Sequence, residues 1–164
     1  MPSKHAINAL AAIASIFTLT TSSVNAQYAA KPSLIITAHI QNFGDMEQGE
    51  GRWVGTRGRE LRLEGFSIRS DSQCLGLRYM AHVQDVGDTG WFDEGDFVGS
   101  RGQGRRLEGL SIKATGPCSS RYSISYKCHI HNQGDSPWMQ DGMFCGTRGE
   151  SKRLEAFIVV IRPR

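Results

Sequence analysis

The chain has 164 residues, of which 39% are hydrophobic, 21% charged and 9% aromatic, a globular composition that excludes an intrinsically disordered chain. Its 19 Lys and Arg against 16 Asp and Glu give a formal charge of +3, mixed in sign along the chain, so no nucleic-acid footprint is expected. Fourteen of the 19 cations are Arg, which favours forked hydrogen bonding over a diffuse basic cloud.

In chain order, Lys4 and His5 form a short polar region. Residues 6–19 are apolar and small apart from Asn8, Ser15 and Thr18, and Val24-Asn25-Ala26 has small residues at −3 and −1 of a cleavage site. This is the order of a secretory signal peptide, predicted over residues 1–26. The apolar run has 14 residues against the roughly 20 of a membrane span, so no span is expected; an uncleaved anchor is the alternative. The mature chain is expected to be secreted and extracellular. It is expected to start at Gln27, with 138 residues and a formal charge of +2.

Residues 27–164 read as one domain of three repeats, at about 34–70, 75–114 and 122–161, with a period near 44 residues. Each copy opens on a His (His39, His82, His129) and continues through a Gly-Asp pair. A Gly-Thr-Arg-Gly or Gly-Ser-Arg-Gly turn (55–58, 99–102, 146–149) comes next, and an Arg-x-Glu segment (Arg62-Leu63-Glu64 and its counterparts) closes the copy. The three His are 43 and 47 residues apart and the three Glu 44 and 47.

Each copy has β periodicity. In the opening strand Tyr79, Ala81 and Val83 share one face while Met80, His82 and Gln84 share the other; in the closing strand Glu64, Phe66 and Ile68 alternate with Leu63, Gly65 and Ser67. Three to four strands are expected per copy, nine to twelve in all, with a polar turn leading from one copy to the next. No single copy can bury both faces, so the fold class is all-β with pseudo-threefold closure. A β-prism of three sheets around an apolar axis is favoured by the long outer strands, and a β-trefoil is the alternative.

The units resemble the clostridial hydrophobic repeat with a conserved tryptophan, the hydrophobic W repeat. The matching parts are Ala-His-Val-Gln (81–84), Gly-Asp-x-Gly-Trp (87–91), Gly-Ser-Arg-Gly (99–102) and Arg-Leu-Glu-Gly-Leu-Ser-Ile (106–112), repeated in order by the other copies over residues 34–161. The resemblance implies extracellular placement and a binding or adhesive role involving cell-surface glycans, with no catalytic residues. The Gly…Trp…Gly…Leu-Arg-x-Glu order is also similar to the vitelline outer-layer proteins, which are β-prisms. Copy one departs from the pattern, with Met46-Glu47-Gln48 where the others have Trp91 and Trp138.

The best ligand candidates are Trp91 and Trp138, because indole rings stack on the apolar faces of sugars. Each is expected to work with a neighbouring acid (Asp88, Asp135) and an outward pair, His82 with Gln84 or His129 with His131, whose donors and acceptors suit hydroxyls. Trp53 aligns with Phe97 and Phe144 and reads as core. The His residues recur in the copy without the Trp, which favours a structural role holding the Gly-Asp turn. Glu64, Glu108 and Glu155, on the face of large apolar residues, need a partner to stay ionised. They read as braces accepting from backbone amides, the other reading being the general acid of a glycosidase pair. Arg57, Arg101 and Arg148 are further braces, solvated or paired with Glu. No catalytic motif, cofactor or metal site is expected; no two Cys stand in a Cys-x2–4-Cys spacing, although Cys128, His129 and His131 lie together, and zinc is the minority reading.

Four Cys in a secreted chain suggest two disulfides. In the repeat alignment Cys128 stands where Ala38 and Ala81 stand, and Cys145 where Val54 and Val98 stand, which predicts Cys128–Cys145 and leaves Cys74–Cys118. The expected function is a secreted, non-catalytic, lectin-like module binding glycans or cell-wall polymers. A structural or adhesive protein that binds protein is the second reading and a glycan hydrolase the third.

Overall fold

The structure is a computed structural model that describes residues 31–164. The signal peptide and cleavage site read from the sequence lie outside these residues. Copy one forms β1 (Leu34–Ile40), β2 (Gly44–Gly49), β3 (Val54–Gly55) and β4 (Leu63–Ser70). Copy two forms β5 (Gly76–Val83), β6 (Gly87–Asp88), β7 (Phe92–Asp93), β8 (Val98–Gly99) and β9 (Leu107–Thr115). After a single 3-10 turn, Pro117–Ser120, copy three forms β10 (Tyr122–Ile130), β11 (Gly134–Asp135), β12 (Met139–Gln140), β13 (Cys145–Gly146) and β14 (Leu154–Pro163).

That is 14 strands among the described residues, two more than the upper expectation. The extra strands come from one inserted residue. In copy one β2 runs unbroken against β1, with Ala38 opposite Met46 and Thr37 opposite Glu47. In copy two His82 faces Asp88 and Tyr79 faces Phe92, so three residues, Thr89 to Trp91, stand opposite two, Met80 and Ala81. The hairpin bulges there and the strand divides into β6 and β7. Copy three does the same between Asp135 and Met139, and each bulge carries a Trp.

The strands form three antiparallel sheets and no closed barrel, which is the β-prism arrangement and not that of a trefoil. In each sheet the opening and closing strands of one copy pair along their length, β1 with β4, β5 with β9 and β10 with β14. The fourth position is filled from another copy. Copy two's β8 adds to β4, copy three's β13 adds to β9, and copy one's β3 adds to β14. No long closing edge is left open near its centre, where an unpaired row of backbone groups would be a liability.

The inward faces meet in one core. Leu34, Ile36, Ala38 and Ile40 of β1 alternate into it, as do Leu77, Tyr79, Ala81 and Val83 of β5. Phe66, Tyr79 and Phe157, one from each sheet, meet near its centre, the Phe66 ring tilted against Tyr79 and edge-on to Phe157 with centroids 5.1 Å apart in both pairs. Burying each of these rings contributes about 1.5–3 kcal/mol.

The closing strands do not keep the simple alternation. In β4 Leu63, Phe66 and Ile68 are all buried in the core, which two-residue periodicity forbids. The pairing register explains it: His39 faces Gly65 while the next residue, Ile40, faces Leu63. Glu64 is the unpaired residue of a bulge, and the strand changes face across it. The same bulge falls at Glu108 and Glu155. The carboxylates are therefore not lodged among the apolar side chains, as strict alternation would place them.

Both disulfides join the expected residues. Cys74–Cys118 ties together the two inter-copy turns across 44 residues of chain, and Cys128–Cys145 links β10 to β13 across 17. The second bond fastens the short strand of copy three to its own opening strand while that short strand serves the sheet of copy two.

Candidate functional site

The repeated polar residues meet where one copy hands its short strand to another. His39 Nδ1 lies 2.6 Å from Asp45 Oδ1 across the first hairpin, and His82–Asp88 and His129–Asp135 repeat the distance. Each Asp also accepts from an Arg of the neighbouring copy. Arg101 Nε donates to Asp45 Oδ2 at 3.1 Å, Arg148 Nε to Asp88 Oδ1 at 2.9 Å, and Arg57 Nη2 to Asp135 Oδ2 at 3.0 Å. These three Arg are half-exposed to solvent and paired with Asp of another copy, not with Glu. The carboxyl of Asp88 is held below its ordinary value by the hydrogen bond from Arg148 and then by that from His82. Burial pushes Asp45 upward, but the hydrogen bonds from His39 and Arg101 together outweigh it and leave it lowered.

Above each of these groups lies an aromatic ring. Arg101 and Arg148 stack on Phe97 and Phe144, their guanidinium carbons 3.5 Å from the ring centres, and Arg57 lies 4.7 Å from the centre of Trp53. Phe144 also meets His82 edge-on at 6.5 Å, as Trp53 meets His129. Trp53 is therefore not core. It is half-buried, with Phe97 and Phe144, at the junction between copies. The core position beside it belongs to Val54, Val98 and Cys145.

The three Glu complete the junctions. The side chains of Glu64, Glu108 and Glu155 are only 3–5% exposed, and each is bound by the Arg two residues before it, at 2.9, 2.7 and 3.0 Å. Glu64 also accepts from the backbone N–H of Gly104, in copy two, and Glu155 bonds His131 Nδ1 at 2.9 Å. The amide of the Gly-Thr/Ser-Arg-Gly turn goes instead to the Glu backbone carbonyl. Thr56 donates to Glu155, Ser100 to Glu64 and Thr147 to Glu108, each at 2.8 Å. That approach requires glycine. Gly55, Gly99 and Gly146 have φ of 110°, 99° and 127°, and a Cβ on any of them would stand 2.3 Å from the same carbonyl oxygen.

The Trp residues lie apart from this network. The backbone carbonyl of Trp91 accepts from Arg78 at 3.0 Å, and Lys113 Nζ lies 4.2 Å from the centre of its ring. The ring also reaches copy three, where a Cβ added to Gly142 would be 3.9 Å from it. Trp91 is half-buried, whereas Trp138 is 42% exposed, with Lys127 Nζ and Arg162 Cζ over its ring, 5.5 and 5.2 Å from its centre. Of the expected ligand set, then, His82 and Asp88 come together, as do His129 and Asp135, but as braces engaged by Arg148 and Arg57. Gln84 is half-buried with its backbone N–H on the carbonyl of Arg106, and His131 bonds Glu155. Asp135, Ser136 and Pro137 line a shallow cleft of about 300 Å³ beside the Trp138 bulge, with Ile130, Met139 and Gly146.

Lys127 and Arg162 were not singled out from the sequence. The signal for Lys127 was available, since it stands on the outward face where copy two has Met80 and copy one Thr37. Arg162 could be found only once pairing was known, because it reaches the ring from the opposite strand.

No helix among the described residues is long and apolar enough to cross a membrane. No curated protein and no solved structure matches the chain. The family model for Clostridial hydrophobic W matches three times, at residues 39–70, 82–116 and 129–163, each match starting at the bracing His of a copy. With more than half of its length covered by these matches, the chain belongs to the clostridial hydrophobic W family.

Proposed function

We propose that this protein is a secreted, non-catalytic module that binds glycans at the cell surface or cell wall through its bulge tryptophans. Three hydrophobic W repeats and two disulfides are features of an extracellular or cell-surface repeat protein. The observation that carries the glycan reading is the exposed indole of Trp138, presented on the outer face of a rigid sheet. An exposed indole face is large, rigid and apolar and can stack on the C–H face of a sugar ring.

The repeated His, Asp, Glu and Arg are the residues that recur in a form suited to acid–base chemistry, and they are engaged with one another: His82 and Arg148 on Asp88, Arg106 on Glu108. A glycosidase needs an acid free to reach the scissile bond. A carboxylate fixed by its own Arg at 2.7–3.0 Å and 3–5% exposed is poorly placed for that.

The test is a glycan array read with the wild type, Trp138→Ala and Trp91→Ala. Trp138→Ala is expected to lose glycan retention about tenfold with its thermal midpoint nearly unchanged, since the ring is exposed. Trp91→Ala is expected to lower the midpoint, because its ring packs on copy three. Absence of any glycan signal from the wild type would refute the reading and leave the adhesive, protein-binding alternative.

A further inference from the structure

The two tryptophan platforms differ in charge. At Trp91, Arg78 is paired with Asp93 at 2.8 Å, and Lys113 is the one cation over the ring. At Trp138, Lys127 and Arg162 both lie over the ring, and neither has an acidic partner among the described residues. Elsewhere the contrast is plain, since all six Arg of the repeated braces are bound to carboxylates, three within a copy and three between copies. Copy one has no ring at this place. The molecule therefore carries one platform on which an exposed apolar face and two uncompensated cations stand together.

We infer, resting on the glycan reading above, that the Trp138 platform selects an acidic saccharide, a hexuronate unit of a polysaccharide. In a hexuronate the carboxylate is attached directly to the sugar ring. Lys127 Nζ and Arg162 Cζ lie over the indole, 5.5 and 5.2 Å from its centre, so a hexuronate that comes to stack there brings its carboxylate to both cations. Arg162 supplies a planar fork that matches a carboxylate with two parallel hydrogen bonds, and Lys127 a compact point charge. A neutral sugar would stack equally well but leave both cations unanswered, so the surplus charge gives the site its preference and makes binding sensitive to salt.

The experiment measures retention of the purified protein on immobilised polygalacturonate, on a neutral β-glucan and on poly(glycerol phosphate). The wild type is expected to be held by polygalacturonate at least tenfold more strongly than by the neutral polymer, and to be released as sodium chloride rises from 50 to 500 mM. Lys127→Met, which installs the residue of copy two, combined with Arg162→Gln should remove that preference. Arg59→Gln with Arg105→Gln, the same change of charge on exposed loops, should keep it. Equal retention on neutral and acidic glycans would overturn the inference while leaving the glycan reading intact. Retention on poly(glycerol phosphate) alone would overturn it in favour of phosphate, and loss of retention in both double variants would reduce it to general charge attraction. No retention on any glycan would remove both proposals together. Should the Lys127→Met, Arg162→Gln variant fail to fold, the wild type's ranking of the three polymers and its salt response decide alone.

Discussion

Two tyrosines do at the core what backbone pairing does at the rim. The Tyr126 hydroxyl accepts from the N–H of Ile112 at 3.1 Å and donates to the carbonyl of Met143, so one phenol joins the sheets of copies two and three. Tyr79 repeats this between copies one and two, accepting from Ile68 and donating to Asp96; copy one has Ile36 at this place. Burial pushes the Tyr126 hydroxyl up to about 12. An unfolded tyrosine ionises near 10, so between about pH 10 and 12 the unfolded chain releases a proton that the native chain keeps. The native state then binds more protons, and stability present below pH 10 is lost as pH rises through that window. Tyr126→Phe should cost about 1–2 kcal/mol at pH 7, as expected for a buried hydrogen-bonded hydroxyl, and should flatten the alkaline decline, with Tyr79 supplying the remainder. Urea denaturation at pH 7 and pH 10.5 measures both, and a variant with an undiminished alkaline loss would contradict the assignment.

At the scale of the element, the critical feature is the short strand. It is two residues long in every copy and carries a glycine whose missing Cβ lets it approach the bulged Glu of another copy. Gly99→Ala brings a methyl to 2.3 Å from the Glu64 carbonyl at a φ of 99°, so backbone must move. The expected cost is about 2–3 kcal/mol, and the same is expected of Gly55→Ala and Gly146→Ala because the three environments match. Gly58→Ala is the comparison, being at φ 74° with nothing within 4 Å, and should cost clearly less. Thermal midpoints of the four variants rank these effects; equal midpoints would mean that the short strands are not held where the structure holds them. The repeat, the outer strands and their inward faces were readable because each is a local pattern. Even the Trp bulge left a trace, since His39 and Glu64 are 25 residues apart where His82 and Glu108 are 26. The exchange of short strands was not readable. Val54-Gly55 has the same local chemistry whichever closing strand it joins, and the partners of Arg57, Arg101 and Arg148 followed that choice. The platform was half legible: the ring at Trp138 was marked by the repeat, but its cations are peculiar to copy three and vanish from a pattern built on what the copies share.

At the scale of the whole molecule, the two disulfides restrain different things. Cys74–Cys118 closes a loop of 44 residues and Cys128–Cys145 one of 17, for which loop entropy gives about 4 and about 3 kcal/mol. The other copies already show how to fill the second site, with Ala81 and Val98 where copy three has Cys128 and Cys145. The variant Cys128→Ala, Cys145→Val should therefore lose no packing beyond the cross-link, and Cys74→Ser, Cys118→Ser should be the more damaging of the two. Guanidinium denaturation of both variants gives the order, and the reverse order would show that the turns are held by something other than the bond. The hand-over of short strands has a larger consequence, which concerns number. Each copy completes the sheet of the copy before it, and the first completes the last. A ring built in this way counts its members. With three copies every short strand has a closing strand to join, and a fourth inserted in line would take β3 from β14 onto its own closing strand, so it is the single core filled by three inward faces, centred on Phe66, Tyr79 and Phe157, that leaves no place for it. The order in which the backbone visits the copies matters much less, because the pairings are cyclic. Cut into three separate copies, the unit keeps the same pairings available and loses the linking turns and the Cys74–Cys118 bond.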